Sequence, residues 1–282
     1  MSWKPLKIRD FESLNEAREQ LHQASQIPAA VGRFYSEKVK DDHFANFTWN
    51  AELNLLQGHL VGQDFHVRAA LRMEDLTLVL LNEVDVEIGT FPLDAKTQTQ
   101  ALIWLEEYFE AKGMETTGFQ INRPYEIPKY PQQSGGKFEL QNPELFAELA
   151  AYFHNTNHVV WQVIKNEANA SEINCWPHHF DIASLLTLSD TGDPETSISI
   201  GVGFSPGDEQ YQEPYFYLTP WPYPDVAELP EGFGPGKWHT DGWVGAVLTA
   251  TEMMESNNSP QQAVLSFYNN GLDILKKILK PS

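Results

Sequence analysis

One cysteine in 282 residues, Cys175, leaves the chain without a partner for an internal disulfide. Arginine is scarce and one-sided, since all six lie at or before Arg123. No apolar run approaches the roughly 20 residues that a bilayer-spanning helix needs. The opening Met1-Ser2-Trp3-Lys4-Pro5 leads into charge, not into the apolar stretch of a secretory signal. These absences exclude a disulfide scaffold and predict a cytoplasmic protein with no membrane association. Basic residues are also outnumbered, 19 against 39 acidic, for a net charge of −20. Such a chain lacks the basic surface that releases counterions from a phosphate backbone, so nucleic acid is excluded as a partner.

The acidity is concentrated. From Asn166 to Glu255 there are fifteen Asp and Glu residues against one base, Lys237. Arginine is the usual fork for phosphate and carboxylate, so a site built from this stretch favours a metal ion, a cationic ligand or a neutral polar one. The plainer meaning of the same charge is a solvated face that aids solubility.

What the chain does have is a globular composition, 41% hydrophobic and 12% aromatic. Phe11, Leu14, Ala17, Arg18 and Leu21 set a helical period over 10–40, which Pro28 interrupts. Four strand patterns follow, three by period-two alternation through Phe47–Leu53, Phe65–Leu71 and Val84–Ile88, and one more uniformly apolar at Leu76–Leu81. Thr97 and Gln100 fit a capping box for a helix ending at Gly113, and a strand near Thr116–Ile121 follows. The second half opens with the N-cap pair Asn142-Pro143 and a helix to about Lys165. Strands follow through Phe180–Leu186, Ile198–Phe204, Tyr215–Leu218 and Trp243–Thr249. Ser259, Pro260 and Gln262 announce a final helix. The pattern predicts an α+β fold, mainly antiparallel sheet with flanking helices. It allows two helix–four-strand–helix halves, 1–125 and 142–282, joined by a Pro/Gly-rich connector at 126–141.

Several stretches resemble, in shared order, an uncharacterised bacterial family known as a domain of unknown function. They are His43–Trp49, Thr90-Phe91-Pro92-Leu93, Tyr125-Glu126-Ile127-Pro128, Phe180-Asp181-Ile182-Ala183, Gly203–Gly207 and Glu213–Tyr217. The resemblance spans nearly the whole chain and implies a common fold. The family's pattern places a His a few residues ahead of the Phe-Asp pair, where Asn174 stands here. It brings no catalytic residue with it.

Two short segments carry paired chemistry. In Trp176-Pro177-His178-His179-Phe180-Asp181, strand alternation would set His179 and Asp181 on one face. Trp238-His239-Thr240-Asp241 has the same spacing. Together His179, Asp181, His239 and Asp241 offer four N/O ligands suited to a divalent metal such as zinc. The competing account is hydrogen-bonded loop residues beside tryptophans. His154 and His158 have the i, i+4 spacing of a zinc helix, but Asn155 stands where a hydrolytic Glu belongs. Gly201–Gly207 is a turn rather than a P-loop, because no Lys-Ser/Thr follows and Pro206 lacks an N–H.

The strand Ile198–Phe204 presents Ser197, Ser199, Gly201 and Gly203 on its other face. A run of small side chains admits close approach by another group. With Asp181, Tyr215, Tyr217, Trp221 and Asp241 it predicts an acidic, aromatic pocket for a small neutral or cationic ligand; the alternative is aromatics that seal a sheet edge. The leading expectation is therefore a small-molecule-binding protein. A metal-dependent hydrolase, in which the metal acidifies water, and an acidic interaction module are the alternatives.

Overall fold

A computed structural model describes residues 2–36, 43–232 and 234–280. Among them are five α-helices and eleven strands, and every named strand pair is antiparallel. The chain divides into two compact units, each discontinuous. One is built from Leu6–Ala151 and Asn174–Phe180, the other from Met1–Pro5, Tyr152–Ile173 and Asp181–Ser282. They do not part at the Pro/Gly-rich connector, which lies inside the first.

The first unit begins with α1 (Phe11–Tyr35), capped by the Asp10 carboxylate, which accepts from the Ser13 amide at 3.2 Å. The helix runs straight through Pro28 instead of breaking there. A proline inside a helix costs about 3 kcal/mol. Here the whole stretch from Leu21 to Gly32 is buried, and burying several apolar side chains at about 1.5–3 kcal/mol each outweighs that cost. Residues 37–40 of the expected helix lie outside the described residues.

Six strands follow: β1 (Phe47–Asn50), β2 (Leu55–Gln57), β3 (Arg68–Arg72), β4 (Thr77–Leu81), β5 (Glu87–Pro92) and β6 (Asn174–Trp176), in spatial order β6-β1-β2-β3-β4-β5. Two expected strands are cut short by side-chain-capped turns. The Asn50 carboxamide accepts from the amides of Glu52 and Leu53, ending β1 before Ala51. The Asn82 carboxamide accepts from the amides of Val84 and Val86, so those residues form an exposed turn and β5 starts only at Glu87. Asn and Asp side chains compete with ladder bonds in this way. No strand forms at 116–121. Helix α2 (Gln98–Glu110) carries the expected Thr97–Gln100 capping box, and Ala101, Leu105 and Phe109 make its buried stripe.

The connector is bound along α1. The Gln132 side chain donates to Gln20, Gln133 to Gln23, and the Tyr125 hydroxyl to Gln26.

Helix α3 (Pro143–Ile164) contributes its later turns to the second unit. There β7 (Asp181–Ser189), β8 (Ile198–Ser205), β9 (Tyr215–Trp221), β10 (Lys237–His239) and β11 (Gly245–Thr249) stand in the order β7-β8-β9-β11-β10. A short α4 (Ala250–Glu255) leads to α5 (Pro260–Ile278). On one face of β8, Phe204 stacks on Tyr152 of α3 at 5.3 Å. Tyr268 of α5 buries its ring beside Phe216 and donates its hydroxyl to the Gly203 carbonyl at 2.7 Å. That packing leaves the opposite face of β7, β8 and β9 to the polar residues described next.

The α5 start is a full capping box, with Ser259 bonded to the Gln262 amide and Gln262 to the Ser259 amide. Loss of such a cap costs about 1 kcal/mol. Ser259→Ala is therefore expected to lower the unfolding free energy by that amount, read as a lower urea midpoint with the m-value unchanged; no shift would show that α5 is held by its apolar face alone.

Candidate functional site

Strand alternation sets Tyr215 and Tyr217 on one side of β9. Register places Gly203 opposite Tyr217 on β8 and Ala183 opposite Gly203 on β7. The small-residue floor is covered by the protein itself. A Cβ at Gly203 would lie 2.5 Å from the Tyr217 hydroxyl and 2.6 Å from Ala183 Cβ, and one at Gly201 would overlap the Thr219 hydroxyl. The two glycines exist so that side chains from β9 can cross over the strand. Gly201 makes room for Thr219, and Gly203 lets Tyr217 reach the start of β7.

There the Tyr217 hydroxyl donates to Asp181 Oδ2 at 2.5 Å. Burial and the adjacent Asp181 carboxylate push that hydroxyl well above the ordinary phenol range, so it stays protonated and acts as a donor. The other carboxylate oxygen, Oδ1, is out of solvent and has no hydrogen-bond partner. A buried acceptor without a donor costs about 1–3 kcal/mol, more when charged.

Beside this pair the same arrangement recurs. The Tyr215 hydroxyl donates to Asp208 Oδ2 at 2.5 Å, and it too is raised by burial and by the Asp208 carboxylate. Asp208 is fixed by an Asx turn, accepting from the amides of Gln210 and Tyr211 on its second oxygen. The rings of Tyr217, Tyr215 and Tyr211 follow one another at 6.2 and 4.8 Å. Tyr211 then meets His239, hydroxyl to Nδ1 at 2.9 Å, and His239 stacks on Trp243 at 4.2 Å. A row of aromatics thus runs from Asp181 to His239 and Trp243.

The structure brings together Asp181, Tyr215 and Tyr217 from the expected set and separates the rest. Trp221 is four residues beyond Tyr217 on β9, roughly 13 Å away at strand rise, and its indole donates to the Glu195 carbonyl at 3.2 Å. Asp241 is exposed. It takes part through its backbone carbonyl, which accepts from His239 Nε2 at 2.7 Å. His239 therefore has both ring nitrogens engaged by the protein.

The expected metal set of His179, Asp181, His239 and Asp241 is not assembled. Among the described residues no group of three or more His, Cys, Asp or Glu side chains could hold a metal ion. The reason for the first pair is local. Residues 177–180 form a turn, with the Phe180 amide bonded to the Trp176 carbonyl at 2.7 Å and Phe180 at φ +55°, so alternation does not run from His179 to Asp181. His154 and His158 also have structural duties: His154 Nε2 meets the Ser2 carbonyl at 3.1 Å, and His158 Nε2 meets Gln162 at 2.8 Å.

Asp208, Tyr211 and Trp243 are the site residues that sequence spacing missed. Asp208 and Tyr211 follow a Ser-Pro-Gly turn with no periodicity to mark them. A carboxylate three residues before a tyrosine, directly after a Pro-Gly turn, is the one local signal they offer. Comparison of the chain with protein-family models, with curated proteins and with solved structures finds no match. The reading of this site therefore rests on its own geometry. Among the described residues, no helix is long and apolar enough to cross a membrane.

Proposed function

We propose that this is a cytoplasmic small-molecule-binding protein whose ligand, neutral or cationic, donates an N–H or O–H to Asp181 in the C-terminal unit. The observation that carries this reading is Asp181 Oδ1, out of solvent and without a donor, beside a carboxylate oxygen already satisfied by Tyr217. A charge-assisted hydrogen bond from an ammonium or hydroxyl would complete the group. The tyrosine row supplies ring faces that suit a cation or a flat polar molecule. The local excess of carboxylates points the same way and disfavours an anion. Among the described residues no metal-ligand group supports the hydrolase alternative, and no particular contact there favours an acidic docking module.

The expected result is that a panel of small amines and polyols, read by thermal shift at fixed ionic strength, contains compounds that raise the melting temperature of the wild-type protein. Asp181→Asn should abolish the shift while the unliganded protein melts within a few degrees of wild type, because the carboxamide oxygen can still accept from Tyr217. Stabilisation by the same compounds in Asp181→Asn would remove Asp181 from the binding function.

A further inference from the structure

The aromatic row beside Asp181 has a property that ligand binding does not use. Each of its three tyrosines donates its hydroxyl to a group that can take the proton. Tyr217 donates to Asp181 Oδ2 and Tyr215 to Asp208 Oδ2, both at 2.5 Å, and Tyr211 to His239 Nδ1 at 2.9 Å. The other ring nitrogen fixes the direction of the third bond. Nε2 faces the Asp241 carbonyl, which can only accept, so Nε2 carries the hydrogen and Nδ1 of the neutral ring is the acceptor. Tyrosines elsewhere differ. Tyr35, Tyr108 and Tyr268 donate to the backbone carbonyls of Glu115, Ile88 and Gly203, which cannot hold a proton.

The rings are also continuous. Tyr217 and Tyr215 lie at 6.2 Å, Tyr215 and Tyr211 at 4.8 Å, Tyr211 and His239 at 5.6 Å, and His239 and Trp243 at 4.2 Å. Such centroid separations are those of rings in contact. Tyr215 and His239 are buried, while Trp243 at the end of the row keeps part of its indole in solvent. Phenol and indole are the aromatic side chains that most readily lose a single electron. A phenol gives up its proton as it does so, and a base within hydrogen-bond reach receives it in the same step.

We propose that Trp243, Tyr211, Tyr215 and Tyr217 form a one-electron relay between an outer-sphere oxidant, such as a metal complex, at Trp243 and the Tyr217–Asp181 pair. The oxidant takes one electron from the Trp243 indole and is itself reduced. Tyr211 refills the indole across the His239 ring and passes its phenolic proton to His239 Nδ1. Tyr215 then returns an electron to Tyr211, which takes its proton back from His239, while the Tyr215 proton moves to Asp208 Oδ2. The last hop repeats this exchange. It leaves a neutral phenoxyl radical on Tyr217 and the proton on Asp181 Oδ2. Each proton rocks within one hydrogen bond while the electron travels the row. The relay needs no ligand at Asp181, so the amine and polyol panel tests a separate property.

The test uses the full chain carrying Tyr223→Phe, which removes an exposed tyrosine. Tris(bipyridine)ruthenium(III), generated by a light flash with persulfate, is the oxidant, and freeze-quench electron paramagnetic resonance reads the radical. The expected product is a neutral tyrosyl radical whose formation slows in D2O. Tyr211→Phe keeps the ring but cannot be oxidised, so a tryptophanyl signal should replace the tyrosyl one. His239→Phe keeps a ring against Trp243 but offers no base, and should also arrest oxidation at the indole. Trp243→Phe should lose the tyrosyl signal, and it carries the comparison if Tyr211→Phe does not fold. A tyrosyl signal of undiminished size in Tyr211→Phe or Trp243→Phe would overturn the relay. Equal rates in H2O and D2O would overturn the coupling of each electron to a proton.

Discussion

Gly32→Ala is expected to unfold the first unit or to destabilise it by more than about 3 kcal/mol, the upper range for overpacking. Helix propensity alone predicts the opposite sign, since Ala is favoured over Gly by about 1 kcal/mol inside a helix. Packing decides the matter. Gly32 lies in the buried, small-residue stretch of α1, and a Cβ there would overlap the carbonyl oxygen of Phe44 and come within 3.1 Å of its carbonyl carbon. Both are backbone atoms of the 3-10 turn His43–Ala45, so no side chain can rotate away. Chemical denaturation of the variant measures the effect. A variant as stable as wild type, or more stable, would show that α1 does not touch this turn so closely.

Acid should destabilise the protein through His22. Burial is the main cause that lowers its pKa from 6.5 to about 4, with the neighbouring basic groups adding to it. The unfolded chain therefore binds a proton that the native state refuses. Stability from this residue is complete above the unfolded value near 6.5. It is lost as the pH falls from there towards 4. That depression of the imidazole pKa corresponds to about 3 kcal/mol, at 1.36 kcal/mol for each pH unit. Urea denaturation between pH 7 and pH 4 should show this slope, and His22→Gln, lower in stability at pH 7, should flatten it. An equal slope in the variant would assign acid sensitivity to other groups.

How far the sequence disclosed this molecule depended on whether a signal was local. The capping boxes at Thr97 and Ser259 were legible because the two bonding partners are three residues apart. The alternation of Ile198, Ile200, Val202 and Phe204 was legible because β8 stays regular. Ala51 and Leu53, or Val84 and Val86, continue the alternation on paper, yet Asn50 and Asn82 capture the backbone into turns. A residue count cannot show which hydrogen bond prevails there. The strand β10 and the helix α4 are too short to build a period.

The site divides in the same way. Tyr215 and Tyr217 were recognisable as one face of a strand. The meeting of Tyr217 with Asp181 depends on the register of three strands, and on Gly203, whose small size admits the tyrosine rather than a ligand. His179 and Asp181 were matched by spacing, but the turn at Phe180 separates them.

The residues Ser2–Lys4 belong with the helix turn at His154 and Asn155, where the Lys4 amide donates to the Asn155 carboxamide at 2.7 Å and Asn155 donates back to the Lys4 carbonyl at 2.8 Å. These partners are 151 positions apart. Closing a loop of that length costs about 4 kcal/mol beyond a constant term. A ribosome makes the early strand of this clasp long before its counterpart, so during synthesis Ser2–Lys4 has nothing to hold. The whole of the first unit's α1, β1–β5 and α2 emerges inside that open loop. The clasp cannot close until α3 has been made, and the loop-closure cost makes it a slow contact to form.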